Sequence, residues 1–92
     1  MPVTFGWNPA KARINLQKHG VSFAEAVSAF RDPLSITISD PDHSYDEERF
    51  ILLGLPQRNR LLVVIHTEIG DTIRVISARE ADRRERRQYE QG

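Results

Sequence analysis

The run Thr72-Ile73-Arg74-Val75-Ile76-Ser77-Ala78-Arg79, continued by Glu80 to Glu90, decides how the rest of the chain is read. Its first part is rich in β-branched residues and has the length of a strand. Strict alternation puts Arg74, Ile76 and Ala78 on one face and Ile73, Val75 and Ser77 on the other, with Arg79 at the junction with the second part. That second part has helical spacing, and Ala81, Glu85 and Tyr89 form one row at i, i+4 and i+8. A strand that only fills a core has no use for Arg74. A helix that only packs would not present a carboxylate and a phenol as its inward row.

Upstream of this run, Gly70-Asp71 is a compact turn. Arg60 to Glu68 is a strand whose stretch Leu61 to Ile65 is the most apolar in the chain. Pro56-Gln57-Arg58-Asn59 turns, Arg49 to Leu55 is another strand, and Asp40 to Asp46 is a loop by composition. Leu34 to Ser39 alternates as a half-buried strand. Short turns between such strands predict an antiparallel meander. Nearer the N-terminus, Asn8-Pro9 starts a helix, with Asn8 as its cap and Pro9 in the first turn. Ala12, Ile14, Asn15 and Leu16 supply its inner face, and Lys18-His19-Gly20 ends it. Ser22 and Glu25 form a capping box for a second helix. Its stripe is Phe23, Ala26, Val27 and Phe30, and Asp32-Pro33 stops it. Val3 to Trp7 reads as an edge strand or an anchoring arm.

The expected fold is therefore α+β, a single domain over residues 1–92. An antiparallel sheet of three to four strands, plus a short N-terminal strand, is packed with two N-terminal helices and one C-terminal helix. The helices are expected on one face, with the other face partly open.

Composition narrows the function classes. The 92 residues are 39% hydrophobic and 28% charged, as in an ordinary globular domain. No cysteine is present, which excludes disulfide and thiolate chemistry and fits a reducing, cytoplasmic setting. No apolar run approaches a membrane span, and the N-terminus lacks a signal-peptide layout. The formal net charge of zero argues against coating nucleic acid by bulk charge. That charge is unevenly placed. Asp40, Asp42, Asp46, Glu47 and Glu48 make an acidic block, while Arg79, Arg83, Arg84, Arg86 and Arg87 crowd the tail among Glu80, Asp82, Glu85 and Glu90.

Arginines on a strand suit phosphate, which a guanidinium binds bidentately at any working pH. Arg74 and Arg79 would thus hold an RNA phosphate and the extra charge of its transition state; the structural alternative pairs Arg74 with Glu47, Glu48 or Glu68 across the sheet. Glu85 is a candidate general base for a ribose 2′-hydroxyl, and Tyr89 a phosphate donor or stacking group. The alternative is an Arg–Glu–Tyr network that pins the helix. Arg83, Arg84, Arg86 and Arg87 interleave with acids, as a solvated face does. His19 has the intrinsic pKa for proton transfer, but a basic residue in a last turn is also a plain helix cap. His66 reads as a core or edge histidine. Asp40, Asp42, His43 and Asp46 lack the spacing of a calcium loop, and no zinc spacing occurs, so the simpler reading is a solvated turn.

Separated motifs then line up with one family. Phe5-x-Trp7-Asn8, Lys11, Asn15, Lys18-His19-Gly20-Val21-x-Phe23-x-Glu25-Ala26 and Phe30-x-Asp32-Pro33 come first. Glu47-x-Arg49, Gly54, Arg74-x-Ile76-Ser77-Ala78-Arg79-x-Ala81 and Glu85-Arg86-x-x-Tyr89 come after them. In order and spacing, over nearly the whole chain, they resemble the BrnT family. The resemblance implies a RelE-like ribonuclease toxin of a type II toxin–antitoxin system, cleaving RNA without a metal or other cofactor. It implies a BrnA-like antitoxin with a ribbon-helix-helix half, and operator DNA bound only through that antitoxin. A homodimer and a heterotetramer are both compatible with it. Carried onto this chain, Arg74, Arg79, Glu85 and His19 are the expected catalytic residues. Lys18, Arg49, Arg83 and Tyr89 are the expected RNA contacts. A different class of protein, a non-catalytic interaction module with a structural Arg/Glu/Tyr cluster, stays open beside it. The chain departs from the family pattern at Ile69-Gly70 and at Glu80, each removing positive charge near the expected site.

Overall fold

The structure is a computed structural model that describes residues 3–40, 48–57 and 60–92. Local chemistry sets its first elements. The Asn8 side chain accepts from the N–H of Ala10 and Lys11, and starts α1 (Pro9–His19). Gly20, at φ 70°, ends it in the left-handed conformation that glycine adopts without a Cβ penalty. The Ser22 hydroxyl accepts from the Glu25 N–H and starts α2 (Phe23–Ala29).

The strands are β1 (Thr4–Gly6), β2 (Ile36–Ser39), β3 (Arg49–Gly54), β4 (Leu62–Ile69) and β5 (Thr72–Glu80), and α3 (Arg83–Gln91) closes the order. They form one sheet in the order β1-β5-β4-β3-β2. The pairs from β2 to β5 are antiparallel, as the short turns require. β1 joins β5 in parallel, setting Thr4 beside Thr72 and Gly6 beside Arg74. The sheet is therefore mixed.

The sheet separates two apolar clusters. On one side α1 and α2 cover Leu52, Leu62, Val64, Val75 and Ala78, with Val21, Phe23, Ala26 and Ala29 buried among them. On the other side lie Leu53, Leu61, Val63 and Ala81, with Ile36, Ile51 and Tyr89 packed against them. The C-terminal helix thus sits on the face opposite the first two helices, which corrects the expectation of one shared face. It covers only part of that face, and none of its residues is fully buried. The inner face of α1 is also narrower than its sequence suggests. Asn15 is buried, but Ile14 and Leu16 are exposed, because α1 lies along the edge that β5 leaves free beyond β1.

Asn15 takes the place of a missing strand at that edge. Its Oδ1 accepts from the Ala78 N–H at 3.1 Å, and its Nδ2 donates to the Ala78 carbonyl at 2.8 Å and to the Val21 carbonyl at 3.0 Å. One buried amide satisfies three main-chain groups. Gly54 allows a second close approach, since a Cβ there would stand 2.6 Å from the Ala29 carbonyl oxygen.

The β4–β5 ladder contains a bulge. Ile65 pairs with Ser77 but His66 pairs with Val75, so Ile76 is an extra residue. Simple alternation therefore fails in the middle of β5. Val75 and Ala78 both face α1 and α2, and Arg74, Ser77 and Arg79 share the opposite face. Two arginines five positions apart, which alternation would separate, end on one side.

Candidate active site

The face opposite α1 and α2 carries the chemistry. Register defines its rows, because directly paired residues share a face. Arg79 pairs with Val63, and Val63 with Leu53. Arg74 pairs with Thr67, and Thr67 with Arg49. Arg49, Arg74 and Arg79 therefore stand on the surface that α3 partly covers.

Arg79 is anchored to α3. Its Nη1 donates to Glu85 Oε1 at 2.8 Å and its Nη2 to Glu85 Oε2 at 2.7 Å. Nη1 also donates to the Glu80 carbonyl at 3.3 Å. These bonds occupy three of the five N–H groups of a guanidinium. The side chain stays 43% exposed, against 23% for Glu85. Glu85 is fixed twice, since its Oε1 also accepts from the Asp82 N–H while the Asp82 carboxylate caps the Glu85 N–H. This capping box starts α3 at Arg83, three residues later than Glu80. The strand runs on instead, with Glu80 opposite Leu62 and the Ala81 N–H bonded to Leu61. The hydrogen bonds from Arg79 hold the Glu85 carboxyl below its ordinary pKa; partial burial opposes them, and the Asp82 N–H adds to them. Glu85 is thus an ionised carboxylate beside a half-exposed cation.

Arg74 is exposed and makes no hydrogen bond or ion pair with a described residue. Two of its expected acidic partners are engaged elsewhere. Glu68 meets His66 Nε2 at 3.0 Å, and Glu48 accepts from Ser39. The third, Glu47, lies outside the described residues, as do Asp42 and Asp46 of the acidic block and His43 between them.

Tyr89 points away from this cluster. Its hydroxyl donates to Asp32 Oδ2 at 2.5 Å, and Asp32 also accepts from the Leu34 and Leu55 N–H groups. The bond to Asp32 and partial burial push the Tyr89 phenol up to about 12. Burial works against ionisation of Asp32, but the three donors outweigh it and keep its carboxyl below the usual value. The expected grouping of Glu85 and Tyr89 near Arg74 is thus replaced: they meet Arg79 and Asp32 instead. Asp32 is legible in the sequence only as a helix stop before proline.

The remaining candidates are scattered. Lys18 and His19 are exposed in the last turn of α1, one turn beyond Asn15, without a hydrogen bond to Arg74, Arg79 or Glu85. Arg83 is exposed at the first position of α3. His66 is fully buried on the helical face, stacked on Phe50 and edge-on to Phe30. Beside Arg79, a groove of about 380 Å³ runs between α3 and the sheet, lined by Ile36, Ile38, Ile51, Leu53, Val63, Glu85 and Gln88. Its outer wall is the edge strand β2, where Ile38 is 56% exposed. No helix among the described residues is long and apolar enough to cross a membrane.

Comparison with known proteins places the chain in a family. Residues 7–85 match the family described as ribonuclease toxin, BrnT, of type II toxin-antitoxin system. The fold is similar to the 1.1 Å crystal structure of the Brucella abortus ribonuclease toxin BrnT. That match has a TM-score of 0.64 and 23% sequence identity, and covers 88% of this chain and 99% of that one. No curated protein sequence matches the chain.

Proposed function

The chain belongs to the BrnT family of ribonuclease toxins of type II toxin–antitoxin systems, and on that premise we propose that it cuts RNA on the sheet face that carries Arg74 and Arg79. The single observation behind this reading is the Arg79–Glu85 pair, a cation with N–H groups to spare bonded to an ionised carboxylate on an open face.

The reaction is an in-line displacement. The ribose 2′-oxygen attacks the adjacent phosphorus, Glu85 takes the 2′-hydroxyl proton, and the bond from phosphorus to the 5′-oxygen breaks. The products are a 2′,3′-cyclic phosphate and a 5′-hydroxyl, the leaving oxygen receiving a proton from water. Arg79 neutralises charge on the phosphoryl oxygens as it develops, and Glu85 keeps its fork in plane. Lys18, Arg49 and Arg83 add weaker, salt-sensitive attraction to the RNA backbone. Proton abstraction and charge stabilisation are supplied by side chains, without a metal or other cofactor.

The cytoplasmic partner is a BrnA-like antitoxin, and the complex binds its own operator DNA through the antitoxin's ribbon-helix-helix half. The groove between α3 and the open β2 edge offers apolar surface and unpaired main chain to such a segment. A segment seated there would end against Arg79 and Glu85 and block the site.

One observation favours a second reading. The bidentate Arg79–Glu85 bond and the Tyr89–Asp32 bond also account for how a helix with no buried residue stays docked. A binding module that performs no chemistry would need nothing more. Cleavage of labelled RNA by the purified protein in EDTA, beside Arg79→Ala and Arg79→Lys, separates the two. We expect cleavage by the parent only, because lysine cannot reproduce the fork. Cleavage unaffected by Arg79→Ala, or none by the folded parent with ribosomes also supplied, would leave the module reading standing.

A further inference from the structure

We infer that the row Gly6–Arg74–Thr67–Arg49, which crosses four strands, is a second phosphate subsite, holding the RNA backbone at a nucleotide beyond the scissile bond. The inference rests on the ribonuclease reading for the direction of the RNA, but its observations are separate. The four residues are register partners on the face shared with Arg79. Arg74 is exposed and has no acidic partner among the described residues. Beside it on β1, a Cβ at Gly6 would meet nothing within 4 Å, so one flank of Arg74 is open. On its other flank the Thr67 hydroxyl is buried, the residue only 1% exposed, with no hydrogen-bond partner. A buried hydroxyl without a partner is uncommon and costly. A phosphate oxygen drawn in by Arg74 would satisfy it once the groups that cover Thr67 move aside.

Arg74 and Arg79 stand on separate rows, and two bonds to Glu85 turn the Arg79 guanidinium toward α3. Their partners Thr67 and Val63 are four positions apart on β4, so the two rows are separated by about 13 Å along the strand. That spacing suits two phosphates of one extended single strand with a nucleotide between them. Duplex RNA would have to bring a broad, stiff helix onto a face that α3 already narrows. The ligand class is therefore single-stranded RNA of at least three nucleotides, read by backbone charge and not by base.

The test uses 2′-O-methyl RNA, which binds without being cut, as a dinucleotide and as a hexanucleotide in fluorescence anisotropy. Arg74→Ala should weaken the hexanucleotide about tenfold, the size of one charged hydrogen bond lost, and the dinucleotide less than twofold. The salt slope for the hexanucleotide should fall by about 0.7, one phosphate contact on a single strand. Gly6→Val, which fills the open flank, should weaken the longer ligand in the same sense. Arg79→Ala should weaken both lengths. Equal losses for both lengths with Arg74→Ala, no loss for either, or no binding of either length by the folded parent would overturn the inference. Cleavage of unmodified RNA is followed in parallel. Length-dependent binding without cleavage would keep the subsite and remove the catalytic reading, and cleavage without length dependence would do the reverse.

Discussion

Asn15 and Ala78 are joined by two hydrogen bonds that turn a helix side chain into a substitute for a strand: 3.1 Å from the Ala78 N–H and 2.8 Å to its carbonyl. β1 covers β5 only as far as Arg74. Beyond it the main chain of β5 would face the apolar underside of α1 with nothing to bond. Asn15→Ala leaves the Ala78 N–H and carbonyl and the Val21 carbonyl buried and unpaired. Buried groups left in this way cost on the order of 1–3 kcal/mol each, and partial entry of water lowers the sum. We expect a loss of about 3 kcal/mol in urea unfolding, with Asn15→Asp no better, because it loses both donated bonds and buries a charge. A loss under about 1 kcal/mol would show that the edge is solvated and that Asn15 is dispensable.

Gly54 makes a second stability prediction of a different kind. The substitution Gly54→Ala would bring a methyl group to within 2.6 Å of the Ala29 carbonyl oxygen, a backbone atom at the end of α2. Relief requires α2 to move off β3, and overpacking of this sort costs about 1–3 kcal/mol. Because Ala29 belongs to the cluster shared with Val75 and Ala78, the shift should also appear in amide exchange of β5. Thermal unfolding measures the first effect and hydrogen exchange the second.

Much of this arrangement is legible in the sequence, and the exceptions have a common cause. Asn8, the Ser22 hydroxyl and Gly20 act on neighbours within four residues, so their sequence signals survive in the structure, whereas the Glu25 carboxylate binds Arg60 and leaves the expected capping box half-formed. The bulge at Ile76 is not legible, since nothing within Thr72 to Arg79 marks an extra residue. It appears only in the pairing with β4, where His66, packed toward Phe30 and Phe50 on the helical face, stands opposite Val75. The arginine pair on one face thus depends on the register with β4, a strand more than about ten positions away from Arg79, beyond the reach of any local pattern. The same holds for Asp32, legible as a helix stop and not as the acceptor for Tyr89, and for the parallel pairing of β1. Candidate arginines are visible as types, and their grouping is decided by tertiary register.

The Tyr89–Asp32 bond predicts an alkaline limb of stability. The Tyr89 phenol is raised from its ordinary 10.0 to about 12 by the bond it donates to Asp32. A group whose pKa is raised by folding stabilises the fold fully below its unfolded value, and that contribution is lost as pH rises through the folded value. Stability should therefore fall between pH 10 and about 12, as the unfolded phenol ionises and the folded one resists. Tyr89→Phe should flatten that limb and lower stability at neutral pH. Tyrosinate absorbance tests the assignment directly, because the chain has two tyrosines and the variant keeps only Tyr45. A late-titrating phenol that persists in Tyr89→Phe would assign the shift to Tyr45 and refute the clasp.

The Arg79–Glu85 pair predicts an acid limb and separates catalysis from scaffolding. Hydrogen bonds from Arg79 hold the Glu85 carboxyl below its ordinary 4.5, against partial desolvation. A depressed carboxyl stabilises the fold above its unfolded value, and that stability is lost as pH falls through the lower, folded one. Glu85→Gln should remove part of the acid limb, with Asp32 keeping the rest. Both side chains touch solvent, so the double-mutant coupling with Arg79→Ala should be modest, about 1 kcal/mol in stability. Activity should respond on a different scale. Loss of a group that takes the 2′-hydroxyl proton lowers kcat about a hundredfold or more, with KM little changed and the acidic limb of the rate profile abolished. If Glu85 only orients Arg79, Glu85→Gln keeps a neutral acceptor in place, KM rises with kcat nearly intact, and the pH profile keeps its shape. A large kcat loss with only a small stability change therefore identifies Glu85 as the base, because a helix pin would lower both together.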